Sequence, residues 1–135
     1  MTRAGEPQSG RPSLDAMNTD PRHHSVLLEN EHVRVLDTHV AAGERTAIHT
    51  HQWPAALYVI SFSDFVRYDA DGNILLDSRT LAVKPTDGGA LWGPPLLAHC
   101  VHNVGTRELR VIAVELKPAR TATAGSPGAA SGSSM

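Results

Sequence analysis

The stretch Gly43-Glu44-Arg45-Thr46-Ala47-Ile48-His49-Thr50-His51 decides how this chain is read. In an extended strand, residues i and i+2 project to one face, so His49 and His51 would share one space just after a glycine-containing turn. Two imidazoles so placed can be neighbouring ligands of one metal ion. The same alternation also suits a surface strand that turns its polar residues to water. A further candidate lies far along the chain, His99 in Ala98-His99-Cys100-Val101-His102-Asn103. Alternation assigns His99, Val101 and Asn103 to one face and Cys100 and His102 to the other. His102 is therefore outside the ligand set unless a bulge intervenes.

Around these two stretches the apolar residues come in short runs, at 26–28, 33–41, 55–62, 65–68, 74–76, 80–83, 90–92, 97–103 and 109–116. The runs are rich in Val, Ile, Leu and aromatics, and turn signals such as Asp71-Gly72-Asn73 separate them. None holds a 3.6-residue period over the ~10–12 residues that a helix needs. The pattern predicts an all-β fold, either a sandwich or a small closed barrel. Residues 1–24 are polar and small-residue-rich, with Leu14 and Met17 their only large apolar members after Met1, and read as a mobile arm. Residues 118–135, rich in Pro, Ala, Gly, Ser and Thr, read as a disordered tail. A single β-barrel domain is expected over 25–117.

The 135 residues leave no room for a second catalytic domain. Twelve Lys and Arg against fourteen Asp and Glu give a net charge of −2 with no basic run, which argues against a nucleic-acid partner. No apolar run approaches the ~18–20 residues of a membrane span, and residues 1–10 lack the apolar stretch of a secretory signal, so a soluble, cytoplasmic protein is expected. There is one cysteine, Cys100, so any metal is expected to be held by nitrogen. Histidine is abundant: eight, more than the two Phe, two Trp and two Tyr together.

Gly43 is followed by five residues and His49-x-His51. Gly88 is followed by five residues, Pro94, four more, His99, three more and Asn103. These spacings resemble the two motifs of the cupin superfamily, and the chain is similar to a small, single-domain bacterial (RmlC-like) cupin. The resemblance implies an antiparallel β-barrel of jelly-roll topology, a double-stranded β-helix, with a metal in its mouth held by His49, His51 and His99. The departures are specific. The Glu of the first motif would fall at 55 or 56, where Ala55 and Ala56 stand. Its closing Gly would fall at Phe62 or Ser63, and Leu96 replaces a Gly of the second motif.

Three neutral imidazoles leave the +2 charge of a divalent ion uncompensated, which favours an anionic, chelating small molecule as ligand or substrate. Three-His cupins include iron-dependent dioxygenases that cleave 1,3-diketones or oxidise thiols, so the resemblance implies a metal-dependent oxidoreductase of dioxygenase type. Fe(II) is the favoured ion, with Zn(II), Ni(II), Cu(II) or Co(II) as alternatives. Two other readings stand beside it: a cupin that binds metal or a small ligand without turnover, and a cupin isomerase or lyase. Trp53, Tyr58 and Trp92 are candidate pocket residues, and Arg45 is a candidate contact for a substrate carboxylate. His102 and Tyr58 are candidate acid/base groups, and Cys100 reads as an inert buried thiol. His23 and His24 fall in the expected mobile arm, and His32 and His39 read as surface or satisfied core residues. Small cupins commonly pair through edge strands, so a homodimer is expected.

Overall fold

The protein is described here by a computed structural model over residues 14–119. A short helix, α1 (Ala16–Thr19), precedes nine strands: β1 (His24–Glu29), β2 (Val33–Val40), β3 (His49–His51), β4 (Ala55–Ser61), β5 (Phe65–Asp69), β6 (Ile74–Asp77), β7 (Ala90–Gly93), β8 (Leu96–Asn103) and β9 (Leu109–Leu116). They form two antiparallel sheets, ordered β1-β2-β9-β4-β7 and β3-β8-β5-β6. Between the sheets lies a cavity of about 560 Å³ lined by residues of both. The period-2 alternation of each strand decides what enters it. Leu109, Val111, Ala113 and Glu115 of β9 all line it, as do Ala55, Leu57 and Val59 of β4. Leu36 of β2 is fully buried against Ala55 and Ala113. Burying such a side chain contributes about 1.5–3 kcal/mol.

The two glycine-led stretches meet through Asn103. The Gly43 amide donates to the Asn103 carbonyl at 2.9 Å, and the Asn103 amide donates to the Glu44 carbonyl at 2.9 Å. The fully buried Asn103 side chain donates to the carbonyls of Val40 and Arg107, and it accepts from the Ser63 hydroxyl and the Gly105 amide. All four of its hydrogen-bonding positions are filled, which locks the end of β8 to the turn that launches β3. Gly43 and Gly88 have φ of 83° and 82°, a left-handed backbone that disfavours side-chain-bearing residues.

Two expectations are corrected. The ordered chain begins before residue 25: Asp15, Ala16, Asp20, His23 and His24 are all buried. Asp15 caps α1 by accepting from the Met17 amide and forms a bridge to Thr50, so this segment covers the free edge of β3. Buried polar anchors hold it, which a search for apolar residues does not detect. Residues 1–13 and 120–135, most of the expected arm and tail, lie outside the described residues. Residues 80–83 are not a strand. Asp77 caps a 3-10 turn at Ser78–Thr80 by accepting from the Arg79 amide, and Leu81 and Val83 then follow an irregular path at the cavity wall. Among the described residues no helix is long and apolar enough to cross a membrane.

Candidate metal centre

At one end of the cavity four imidazoles gather: His24 from the start of β1, His49 and His51 from β3, and His99 from β8. The His49 ring lies 4.4 Å from that of His99, 4.7 Å from His24 and 4.9 Å from His51, centroid to centroid. One ring nitrogen from each of His24, His49 and His51 lies within 4.8 Å of the others. His49 and His51 share a face by strand alternation, and His99 is the direct cross-strand partner of His49. A bulge then shifts the register so that His51 faces Leu96, which puts Leu96 and His99, three residues apart, on the same cavity wall.

The tautomers of the four rings decide which nitrogens can meet a metal. His49 Nδ1 donates to the Ala47 carbonyl at 2.7 Å, His99 Nδ1 to the Leu97 carbonyl at 2.7 Å, and His24 Nδ1 to the Asp20 carbonyl at 3.0 Å. His51 Nδ1 faces the Glu115 carboxylate at 3.3 Å. A carbonyl can only accept, so Nδ1 carries the hydrogen in His24, His49 and His99 and Nε2 is the nitrogen left to meet a metal. Among the described residues, none of the four Nε2 atoms has a hydrogen-bond partner. Burial, reinforced by the neighbouring imidazoles, holds His49 far below the usual imidazole range. Burial, then the charges of His51 and Arg67, pushes His99 down to about 3. Neutral imidazoles with inward lone pairs are the form that binds a divalent ion, so the residues fit one.

Behind the rings runs a chain of buried charges. Arg34 binds both oxygens of Asp15 at 3.0 and 2.8 Å and Glu115 at 2.6 Å, and Glu115 in turn orients His51. Burial works against the charge on both Asp15 and Arg34, but the pairing prevails: Asp15 is held below the usual carboxylate range and Arg34 above its usual value. Glu115 lies directly across the ladder from Ala55. The carboxylate missing at 55 and 56 is thus supplied from the adjacent strand, behind the histidines instead of among them. His23 extends the support, with Nδ1 at 2.8 Å from Asp20 and Nε2 at 3.3 Å from Glu44.

Trp53 and Trp92 stand on the cavity wall, Trp92 with 62% of its surface exposed at the rim. Trp53 is flanked by the Arg34 guanidinium at 5.1 Å and the Lys117 ammonium at 5.4 Å. Three other candidates are placed elsewhere. Tyr58 alternates with Leu57 and Val59, so it turns outward and is 47% exposed. His102 is on the far face of β8, bridged through its backbone to Arg45, and Arg45 is an exposed residue lying 4.9 Å over the Tyr68 ring. None of these three touches the cavity, so the expected acid/base pair and the expected carboxylate contact are corrected. Cys100 is buried on that same far face. Reading the sequence missed His24, Glu115 and Arg67. The adjacent pair His23-His24 was the visible signal for the first; strand pairing alone reveals the other two.

No protein-family profile matches the sequence, and no curated protein matches it. Solved structures do. A cupin domain from Bordetella pertussis superposes with a TM-score of 0.58 at 20% identity, covering 70% of this chain and 92% of that one. A protein with a double-stranded β-helix domain from Klebsiella pneumoniae gives 0.50 at 20% identity, covering 86% of this chain and 76% of that one. With two antiparallel sheets around a histidine-ended cavity, the chain has the cupin fold, the small double-stranded β-helix that its motif spacing resembles.

Proposed function

We propose that this cupin is a metal-dependent oxidoreductase of dioxygenase type that acts on a small, anionic, chelating molecule, with Fe(II) as its working ion. The observation that carries the proposal is the meeting of ring nitrogens of His24, His49 and His51 within 4.8 Å of one another, with the His99 ring 4.4 Å from that of His49, on the wall of a largely apolar cavity. His49 and His51 would hold the ion together with His99, as the motif spacing implies, or with His24, whose ring nitrogen lies within 4.8 Å of theirs. When bound, the ion would supply Lewis-acid and redox activation of a chelated anion and of oxygen. The chain's own part is to keep His49 and His99 neutral through burial, to fix the orientation of the imidazoles through the Nδ1 acceptors, and to exclude water with Leu57, Val59, Phe65 and Val101. Glu115 returns a negative charge behind His51 without occupying a ligand position.

One observation favours a second reading, metal or ligand holding without turnover: His24 adds an imidazole beside those that the motif implies, and each further protein ligand closes a position that a substrate would need. The isomerase or lyase reading loses its acid/base pair, because Tyr58 and His102 are outside the cavity. The test is elemental analysis of freshly prepared protein, followed by oxygen uptake of iron-loaded protein with a panel of 1,3-diketones, thiols and flavonols. Stoichiometric iron and substrate-dependent oxygen uptake are expected. Bound metal without oxygen uptake across the panel would refute the oxidoreductase and leave the holding protein.

A further inference from the structure

Arg67 stands out among the cavity's charged groups. It projects inward from β5, with cross-strand neighbours Val101 on β8 and Leu76 on β6, both also lining the cavity. The other two charged lining residues are satisfied: Lys84 pairs with Asp64 at 3.0 Å, and Glu115 is taken by Arg34 and His51. Asp69, two residues along the strand, is consumed by the amides of Asp71 and Asn73. Among the described residues Arg67 makes no hydrogen bond and no ion pair; its buried Nε is without a partner, and its guanidinium lies 5.8 Å from the Phe65 ring centroid. Burying a guanidinium without an anion is costly, and such groups are retained where a ligand completes them.

We propose that Arg67 anchors the carboxylate of an organic anion whose apolar body fills the cavity and whose other end lies toward the histidines. The planar guanidinium matches a carboxylate in two parallel hydrogen bonds. The walls, built largely from Leu, Val, Phe and Trp, favour a hydrocarbon body over a small inorganic anion. A cavity of about 560 Å³ suits a small aryl or alkyl acid. Arg67 thereby takes the role expected of Arg45. The proposal rests on the reading of the cavity as a ligand site, and it defines the charge and shape of the molecule presented to the metal centre.

The probes are benzoate, 3-phenylpropionate and octanoate, each against its neutral amide, titrated while following the fluorescence of Trp53 and Trp92. Chelator-treated and Zn(II)-loaded proteins are compared. At least one acid is expected to bind the wild type about 10- to 100-fold more tightly than its amide. The preference should vanish in Arg67→Met, persist in part in Arg67→Lys, and survive metal removal. Arg67→Met should also match or exceed the thermal midpoint of the wild type, because a desolvated charge is removed; an arginine with a purely structural role would lower it. Arg67→Gln serves the same comparison if the Met variant does not fold. The proposal is overturned if no acid binds, if the preference survives in Arg67→Met, if inorganic phosphate displaces the acid, or if chelation abolishes the preference, since the carboxylate would then sit on the metal. A protein that retains no metal yet keeps the Arg67-dependent preference would refute the metal centre and uphold this anchor.

Discussion

Arg34→Met offers the sharpest test of how the metal centre is supported. The Arg34 side chain is 8% exposed and neutralises Asp15, 10% exposed, and Glu115, 1% exposed. Removing it strands two carboxylates out of water. Breaking a buried pair in this way costs about 3–5 kcal/mol, against roughly 0.2–1 kcal/mol for an exposed one. A domain of this size has roughly 5–15 kcal/mol of stability in total, so the variant should be marginal, with its Tm lowered by about 15–25 °C. The assay is urea denaturation followed by circular dichroism at neutral pH, in chelator so that metal binding does not mask the loss. Adding Asp15→Asn and Glu115→Gln to Arg34→Met removes the stranded charges and should recover most of the deficit. A loss below about 1 kcal/mol for Arg34→Met would show that water reaches the triad, and the account of a dry, charge-supported centre would fail. Because Arg34 holds Glu115 and Glu115 orients His51, the folded variant should also bind Zn(II) about 10- to 100-fold more weakly.

Further outcomes follow from the same geometry. Single Ala variants of His24, His49, His51 and His99 should each greatly weaken Zn(II) retention, whereas His102→Ala should leave it nearly intact; equal metal content in all five would refute the ligand assignment. The metal-free protein should lose stability in acid. Unfolded histidines take up protons below about pH 6.5, while His49 and His99 stay neutral when folded, His99 down to about 3, so stability is full above pH 6.5 and falls as the pH drops toward 3. Each histidine contributes up to about 1.4 kcal/mol per pH unit, and urea midpoints that are flat between neutrality and about pH 5 would contradict this. Gly105→Ala should destabilise the fold by about 1–3 kcal/mol in the same urea assay, since its methyl would collide with the Ser63 hydroxyl and press on the Asp64 amide, loosening the Asn103 knot. Cys100 should react with a thiol reagent only on unfolding; rapid reaction in the native state would show that the far face of β8 is open.

Much of this arrangement is legible in the sequence. Short β-prone runs and turn signals point to strands, and the spacing of Gly43, His49 and His51 and of Gly88, Pro94, His99 and Asn103 points to the fold. The alternation rule places His99 and Val101 toward the cavity and Cys100 and His102 away from it, because parity along one strand is a local property. The same rule, applied to β4, would have turned Tyr58 outward had Leu57 and Val59 been taken as the inward pair. Residues 80–83 have strand-like composition but lack a partner strand, and the Asp77 cap bends them into a turn.

What the sequence by itself determined, then, is the strand content, the two motif-bearing segments and the inward parity of His49, His51 and His99. The tertiary structure alone decided that His24 meets His49 and His51, that Glu115 stands opposite Ala55 and works behind His51, and that Arg67 rather than Arg45 enters the cavity. The physical reason is that side-chain direction along a strand is set by neighbouring residues, whereas the company a side chain keeps is set by which strands pair and in what register. Those pairings join residues as distant as Arg34 and Glu115, and no local pattern encodes them.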